Sequence, residues 1–93
     1  MWLKLVFTSQ FKKDYKRAKR RGLDMSELRT VLESLSNEET LEKRYRDHAL
    51  VGRYIGFREC HVRPDWLLVY SIDRDALILV AARTGTHSDL FDE

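Results

Sequence analysis

The side chains best suited to acid–base chemistry lie in the second half of this 93-residue chain, which contains all three histidines, His48, His61 and His87. Histidine is the side chain that most readily gains or loses a proton near neutral pH. Arg83 precedes His87 by four residues, and a guanidinium can hold a phosphate through a forked pair of hydrogen bonds. This combination predicts metal-free acid–base chemistry on a phosphodiester.

Cleavage of RNA without a metal requires three functions, and the chain offers candidates for each. A base removes the proton of the ribose 2′-hydroxyl, an acid protonates the departing 5′-oxygen, and a cation stabilises the charge on phosphorus. His61 alternates with Glu59 along one face of a predicted strand, Asp65 follows in the next turn, and His87 comes directly after the last strand. These positions are the candidate base and acid.

The same residues also have purely structural interpretations, and spacing alone does not decide between the two. His48 and His61 also fit an ordinary loop and an ordinary strand position, and Asp65 also fits a hydrogen-bonding role within its own turn. Trp66 either fills the core or, if exposed, stacks on a base. Phe91 either anchors the C-terminus on the sheet or stacks on a base.

Other kinds of site fit the sequence less well. The histidines are 13 and 26 residues apart and Cys60 is the only cysteine, so no zinc pattern and no intrachain disulfide is expected. A glycine-rich phosphate loop is also missing. The longest apolar run, Ala76 to Ala82, is far shorter than the roughly 20 residues of a membrane span, and we see no signal peptide. We therefore expect a cytoplasmic protein without a metal or cofactor.

Charge is distributed unevenly along the chain. Residues 1–22 carry eight basic side chains and one acidic one, a net charge of +7, whereas residues 23–93 carry nine basic and fourteen acidic side chains, a net charge of −5. This asymmetry favours a polyanionic partner at one end of the molecule. A solvated helix face without a partner is the alternative.

Hydrophobic periodicity predicts a single α+β domain over residues 1–93, with the order β-α-α-β-β-β. Apolar residues recur at helical spacing in residues 11–35, and the period changes to two after Tyr54. Short turns between the later strands imply antiparallel neighbours, with the two helices lying as a hairpin on the sheet. The predicted segments are a strand at residues 3–7, a helix between Thr8 and Gly22, a second helix that follows Asp24 and stops near Asn37, strands at residues 57–62, 66–72 and 76–83, and a closing helical turn at residues 88–91.

Local signals fix several boundaries. Thr8 and Asp24 are predicted N-caps, Gly22 ends the first helix, and two pairs have the spacing of a capping box: Asp24 with Glu27, and Thr86 with Asp89. The segment 38–50 is expected to form a loop or one more helical turn.

The last strand is apolar on both faces, which predicts a central position in the sheet, with the first strand at an edge. Leu77, Leu79 and Ala81 share one face by alternation, and Arg83 continues that face to the rim of the sheet. This places the candidate cation on rigid secondary structure.

Three segments together resemble the YafQ branch of the RelE/ParE toxin superfamily. They are the residues HALVG at 48–52, GFRECHVRPDWLLVY at 56–70 and RTGTHSDLF at 83–91. The resemblance covers about half of the chain, and the two-helix N-terminal half agrees in layout. One departure is Ala49, because relatives commonly have proline after the first histidine.

The resemblance implies a bacterial type II toxin with a RelE-like fold. Members of this branch cut messenger RNA within codons at the ribosomal decoding site, and a cognate antitoxin similar to DinJ neutralises them. The complex is expected to repress its own operon by binding operator DNA, mainly through the antitoxin. A partner made of ribosomal RNA also gives the basic first helix a role in contacting phosphate, through Lys12, Lys13, Lys16, Arg17, Lys19 and Arg20.

The functional positions of the branch carry over to His48, His61, Asp65, Trp66, Arg83, His87 and Phe91. By this resemblance His87 is the general acid, and Asp65 or His61 is the base. His48 positions or charges the phosphate, Arg83 stabilises the transition state, and the two aromatic residues shape the nucleotide pocket.

Two other classes of protein remain as alternatives. A ParE-like inhibitor that binds DNA gyrase without catalysis has the same fold, although it does not need the three histidines, and fold alone does not determine function. A nucleic-acid-binding module would require all three histidines to be incidental.

Overall fold

The computed structural model describes residues 2–91, which form one five-stranded sheet with helices. The strands are β1 (Lys4–Phe7), β2 (His48–Ala49), β3 (Arg58–Arg63), β4 (Trp66–Asp73) and β5 (Ile78–Gly85), and the helices are α1 (Ser9–Arg20), α2 (Met25–Ser36) and α3 (His87–Phe91). The sheet order is β1-β5-β4-β3-β2. Only the β1–β5 pair is parallel. The predicted α+β class is confirmed, as are the central β5 and the β1 edge.

Capping side chains set the helix starts where the sequence indicates. The Thr8 hydroxyl accepts a hydrogen bond from Phe11 N at 3.0 Å, and Asp24 accepts one from Ser26 N at 3.0 Å. The predicted capping box at α2 does not form, because the Glu27 carboxylate pairs with Arg63 instead. None of the helices within residues 2–91 is long and apolar enough to cross a bilayer.

One face of the sheet, which we call the helix face, is covered by α1 and α2. It carries Leu68, Tyr70, Leu79 and Ala81, each at most 1% exposed, and these pack with the apolar stripes of both helices in one cluster. Burial of aliphatic and aromatic side chains contributes about 1.5–3 kcal/mol each. This cluster is the principal core of the described residues.

Strand β2 was not predicted, and β5 starts at Ile78 and not at the predicted Ala76. Residues 38–50 hold a single 3₁₀ turn at Lys43–Tyr45 and then the two-residue β2, which pairs with β3. Leu77 has a positive φ of 57° and lies in the turn before β5, so its predicted place on a strand face is wrong. The Asp73 side chain stabilises this turn by accepting hydrogen bonds from Asp75 N and Ala76 N.

The predicted face of Arg83 is also wrong, and a β-bulge is the reason. Tyr70 pairs with Ala81, but Val69 pairs with Arg83, so Ala82 is an extra residue in β5. Residues paired across strands point to the same face. Arg83 therefore shares the face of Val69, opposite the helix face that holds Ala81.

Candidate active site

The second face of the sheet, which we call the histidine face, collects most of the predicted site. Strand pairing runs from His48 to Glu59, from Glu59 to Val69 and from Val69 to Arg83, so these four residues form one row across four strands. His61 lies in the next row, paired with Leu67. Sheet register thus brings distant parts of the chain together.

The three imidazole rings lie side by side on this face. The ring centroids of His48 and His61 are 6.3 Å apart, and those of His61 and His87 are 5.9 Å apart. The Phe91 ring follows at 6.0 Å from His87 and meets Tyr54 edge-on at 5.3 Å. The five rings form a continuous strip with His61 between the other two histidines.

Glu59 is the buried acid beneath this strip, and the sequence analysis did not assign it a function. Its residue is 4% exposed. Oε2 lies 3.2 Å from His48 Nε2 and Oε1 lies 3.8 Å from His87 Nε2. Oε1 has no hydrogen-bond partner among the residues that the structure describes, although buried polar atoms are normally paired. The alternation of Glu59 with His61 along β3 was the signal in the sequence.

Two carbonyl groups fix the ring nitrogens of His48 and His61. Nδ1 of His61 lies 3.1 Å from Pro64 O, and Nδ1 of His48 lies 2.7 Å from Arg46 O. A carbonyl oxygen only accepts hydrogen bonds, so each Nδ1 carries a proton. In neutral His61 the lone pair is therefore on Nε2, whereas Nε2 of His48 faces the Glu59 carboxylate at 3.2 Å.

His87 opens α3, whose start is set by a reciprocal cap. Thr86 N donates to Asp89 Oδ2 at 3.0 Å and Asp89 N donates to Thr86 Oγ1 at 3.1 Å, which confirms the predicted pair. Gly85 has a φ of +153°, and a Cβ there would lie 2.9 Å from Asp89. His87 Nδ1 is 3.9 Å from the Asp65 carboxylate, whose side chain is 76% exposed. Both carboxylates, Glu59 and Asp65, thus lie within 4 Å of this ring.

Asp89 also ties α3 to α1. Its carboxylate accepts from Arg21 at 2.7 Å and lies 3.5 Å from Arg17. The hydrogen bond from Arg21 holds the pKa of Asp89 well below its usual range. The basic end of α1 is thereby fixed next to the helix that carries His87.

Arg83 is held by a buried carboxylate, Asp14, that was not among the predicted site residues. Arg83 Nε donates to Asp14 Oδ2 at 2.7 Å, and the side chains are 25% and 1% exposed. The hydrogen bond to Asp14 raises the pKa of Arg83 above its ordinary value, so the guanidinium is charged at every working pH. Asp14 is the single acidic residue in the first 22, and its place on the apolar stripe of α1 was the available signal.

Trp66 does not lie on the histidine face, which favours core filling, one of its two interpretations, over stacking on a base. It is 2% exposed and belongs to the helix-face core. Its indole N–H donates to Thr84 Oγ1 at 2.9 Å, and that hydroxyl donates to Leu67 O at 2.7 Å. The indole therefore ties β4 to β5 from beneath the site.

The predicted basic surface on α1 divides into two parts. Five of its side chains are exposed, whereas Arg17 is partly buried against Asp14 and Asp89. The exposed members are Lys12, Lys13, Lys16, Lys19 and Arg20.

Ala49 and Cys60 are two further positions that the sequence singled out. Ala49 pairs with Arg58, so the sheet holds the segment of His48 despite the departure from proline. Burial raises the pKa of the Cys60 thiol, which leaves it protonated and unreactive. Within residues 2–91 no three His, Cys, Asp or Glu side chains form a group suited to a metal ion.

Comparisons with known proteins agree with the family resemblance. A family model for YafQ, a bacterial toxin of type II toxin–antitoxin systems, matches residues 3–92. The mRNA interferase toxin YafQ of Escherichia coli K12 is 40% identical over 88 residues, which covers 94% of each chain.

Solved structures support the same assignment. The toxin in the E. coli DinJ–YafQ complex matches with a TM-score of 0.88 and 38% identity, over 98% of this chain and 99% of that one. A metal-bound toxin from Helicobacter pylori matches with a TM-score of 0.91 and 40% identity, over 96% and 99% of the two chains. On the family model and the near full-length identity, this chain belongs to the YafQ family of bacterial type II toxins.

Proposed function

We propose that this chain, an endoribonuclease toxin of the YafQ family, cleaves messenger RNA at the ribosomal decoding site by acid–base catalysis with its own side chains. The observation that carries the proposal is the convergence of three imidazoles in one strip, two of them within 4 Å of the buried Glu59, which lies in the same row of the sheet as Arg83. The mRNA interferase activity of the curated relative supports the reaction class.

His61 is the proposed general base. Its Nδ1 donates to a carbonyl, so the neutral ring presents a lone pair at Nε2. It lies between the other two rings and is 9% exposed, so a ribose 2′-hydroxyl would meet it in the gap between His48 and His87. This arrangement favours His61 over the exposed Asp65 as the group that accepts the proton.

His87 is the proposed general acid. Its side chain is 47% exposed, so it can reach a leaving 5′-oxygen, and carboxylates of Glu59 and Asp65 stand within 4 Å of its two nitrogens. A protonated ring thus has acidic partners on both sides. Phe91, partly buried against the small apolar cluster, borders the ring and supplies a surface for a base.

The positive charge needed at phosphorus comes from His48 and Arg83. Both nitrogens of His48 face acceptors, Arg46 O and Glu59, so a ring protonated on both nitrogens is hydrogen-bonded on both sides and presents its charge beside the phosphate. Preorganised donors of this kind act without reorganising during the reaction.

The proposed chemistry is assigned to side chains and not to a metal. A structural neighbour from H. pylori is described as metal-bound, so metal dependence is open to a direct test. Cleavage by this chain should proceed at the same rate in the presence of a chelator that does not strip magnesium from ribosomes.

Two surfaces support the proposed partners. The exposed lysines of α1 suit ribosomal RNA, because phosphate contacts position a protein without reading sequence. A mostly apolar groove of about 560 Å³ lies between β1 and the helices. Trp2 on its border is 72% exposed, and exposed apolar surface of this kind is typical of interfaces.

We propose that an acidic, DinJ-like antitoxin covers this groove, since Lys12, Lys16 and Arg29 line it. The E. coli relative forms a complex with DinJ. That complex would act in the cytoplasm, where it represses its operon by binding operator DNA mainly through the antitoxin.

The test is single-turnover cleavage of a defined message on programmed ribosomes, with the cut ends mapped. His87→Ala should slow cleavage by about 10²- to 10⁴-fold, and the wild-type rate should depend on pH as a bell, because acid and base need opposite protonation states. Arg74→Ala, which removes a cation at the far β4–β5 turn, is the control and should cleave normally. An uncut message, or equal rates for wild type and His87→Ala, would overturn the proposal, and inhibition of supercoiling without cleavage would favour the gyrase alternative.

A further inference from the structure

Asp14 is the acid of a dense cluster at the junction of α1 and β5. The residue is 1% exposed. It accepts hydrogen bonds from Arg83 Nε at 2.7 Å, Arg83 Nη2 at 3.4 Å and Thr84 N at 3.2 Å. Gln10 and Arg17 donate to Oδ1 at 3.1 and 3.2 Å. A carboxylate buried to this extent is stable only with such compensation.

The chain path explains how a helix residue reaches the histidine face. β1 stops at Phe7, paired with Ala81, and the Thr8 hydroxyl at the start of α1 donates to Ala82 O at 2.8 Å. Beyond that point the edge of β5 is open to α1. Asp14 accepts the Thr84 N–H there, and the bulge at Ala82 turns Arg83 toward the same carboxylate.

The contact with Asp14 uses one edge of the Arg83 guanidinium. Nε and Nη2 point to the two carboxylate oxygens, which leaves two N–H groups on Nη1 and one on Nη2 for another acceptor. Because two bonds fix a planar group, the remaining donors have a defined direction. Arginine has several rotatable bonds, so without this contact the Arg83 side chain would lose conformational entropy each time it bound the phosphate.

We propose that Asp14 is a positioning residue for RNA cleavage: its buried carboxylate holds the Arg83 guanidinium in the orientation that meets the transition-state phosphate. The inference rests on the proposed function, in which Arg83 stabilises that charge. It assigns no contact between Asp14 and RNA. Misplacing a reacting or stabilising group by about 1 Å can cost on the order of 100-fold in rate.

The chain offers a matched control for this contact. Arg63 makes the same two-point contact with Glu27, at 2.7 and 2.5 Å, but on the surface, where the side chains are 58% and 33% exposed. Glu27→Gln therefore removes a carboxylate from an equivalent ion pair that does not involve Arg83.

The experiment measures single-turnover cleavage on programmed ribosomes for wild type, Asp14→Asn, Glu27→Gln, Arg83→Ala and the double variant Asp14→Asn/Arg83→Ala, with folding followed by circular dichroism. Asp14→Asn should lower the maximal rate by about 10- to 100-fold with the half-saturating ribosome concentration within about twofold of wild type. Glu27→Gln should cleave normally. The double variant should be no slower than Arg83→Ala, because both changes remove one function.

Several results would overturn the inference. A folded Asp14→Asn that cleaves at the wild-type rate, while Arg83→Ala is slow, refutes positioning and leaves the proposed function intact. So does a double variant whose loss is the product of the two single losses. A wild-type protein that does not cleave at all refutes the proposed function itself.

If Asp14→Asn does not fold, Arg83→Lys tests whether cleavage needs the held orientation of the guanidinium or only its charge. Lysine keeps the positive charge but lacks the planar guanidinium that a carboxylate can orient through two hydrogen bonds. A rate as slow as that of Arg83→Ala supports a held orientation, whereas a rate near wild type shows that charge alone is sufficient and refutes it.

Discussion

The two faces of the sheet are made from the same strands but differ in polarity and in exposure to solvent. The helix face is apolar and closed, and even its buried indole N–H finds a hydroxyl. The histidine face has a small cluster around Leu67, Val69 and Leu90. His48 and His87 are half-exposed there, and one Glu59 oxygen has no hydrogen-bond partner within residues 2–91. Folding energy is concentrated on one face, which permits the other to keep polar groups that are unfavourable for stability.

The division follows from strand geometry. Along β3, Cys60 and Val62 belong to the core while Glu59 and His61 lie opposite. A shift of one residue in register would exchange the two sets. Substitutions on the two faces should therefore have opposite effects on stability and activity.

The largest effect on stability is expected on the helix face. Leu68→Ala removes a fully buried side chain and should lower the free energy of unfolding by about 2–5 kcal/mol. Val51→Ala, at a position 83% exposed, is the control and should change it by less than about 0.5 kcal/mol. Urea denaturation measures both. Equal urea midpoints for the two variants would mean that packing on the helix face does not supply most of the stability.

Glu59→Leu should show the reverse pattern on the histidine face. Removing a buried oxygen that has no hydrogen-bond partner among the described residues relieves a cost of about 1–3 kcal/mol, and leucine extends the neighbouring apolar cluster. We expect the free energy of unfolding to rise by about 1 kcal/mol while ribosomal cleavage falls by about 10- to 100-fold.

The control for this variant is Glu39→Leu, which places leucine at an exposed position. Glu39→Leu should change neither the free energy of unfolding nor the rate of ribosomal cleavage. A Glu59→Leu protein that is less stable than wild type would contradict the prediction that the buried carboxylate lowers the stability of the fold.

The smallest effect concerns Asp89, which joins α1 to α3 beside the histidine face. Its folded pKa lies below the ordinary value of 3.8, so its charge stabilises the fold fully above about pH 4, and this stabilisation is lost as pH falls through the folded pKa. Asp89→Asn keeps the cap on Thr86 but removes the charge. It should cost about 1 kcal/mol at pH 7.

The measurement is urea denaturation of both proteins from pH 7 to pH 3. The difference between them should be constant down to about pH 5 and then narrow as pH falls. A difference that grows on acidification would mean that Asp89 is not stabilised as a carboxylate.

Much of the architecture could be read from local patterns. The Thr8 and Asp24 caps, the change of period after Tyr54 and the Thr86–Asp89 pair predicted the start and type of most elements, because these signals act within a few residues. The two-residue β2 carried no such signal, since a strand of that length is defined only by its partner.

The site divides in the same way. The types of His48, His61 and His87 indicated acid–base chemistry, and their roles in cleavage stay a prediction. The environment of Trp66 was left open between the core and a nucleotide pocket, and Glu59 and Asp14 were not assigned to the site at all. The environment of each of these three residues depends on groups that lie across the sheet or beneath a helix. The spacing of residues along the chain carries no information about such contacts.

By itself the sequence determined the residue types, the helix and strand periods and the family, because these depend on neighbours within a few positions or on matching motifs. Only the tertiary structure decided which side chains meet. Strand register aligned His48 with Glu59, and one extra residue at Ala82 moved Arg83 from the helix face to the histidine face. A strand has a side-chain period of two, so a single inserted residue sends the later side chains of that strand to the opposite face.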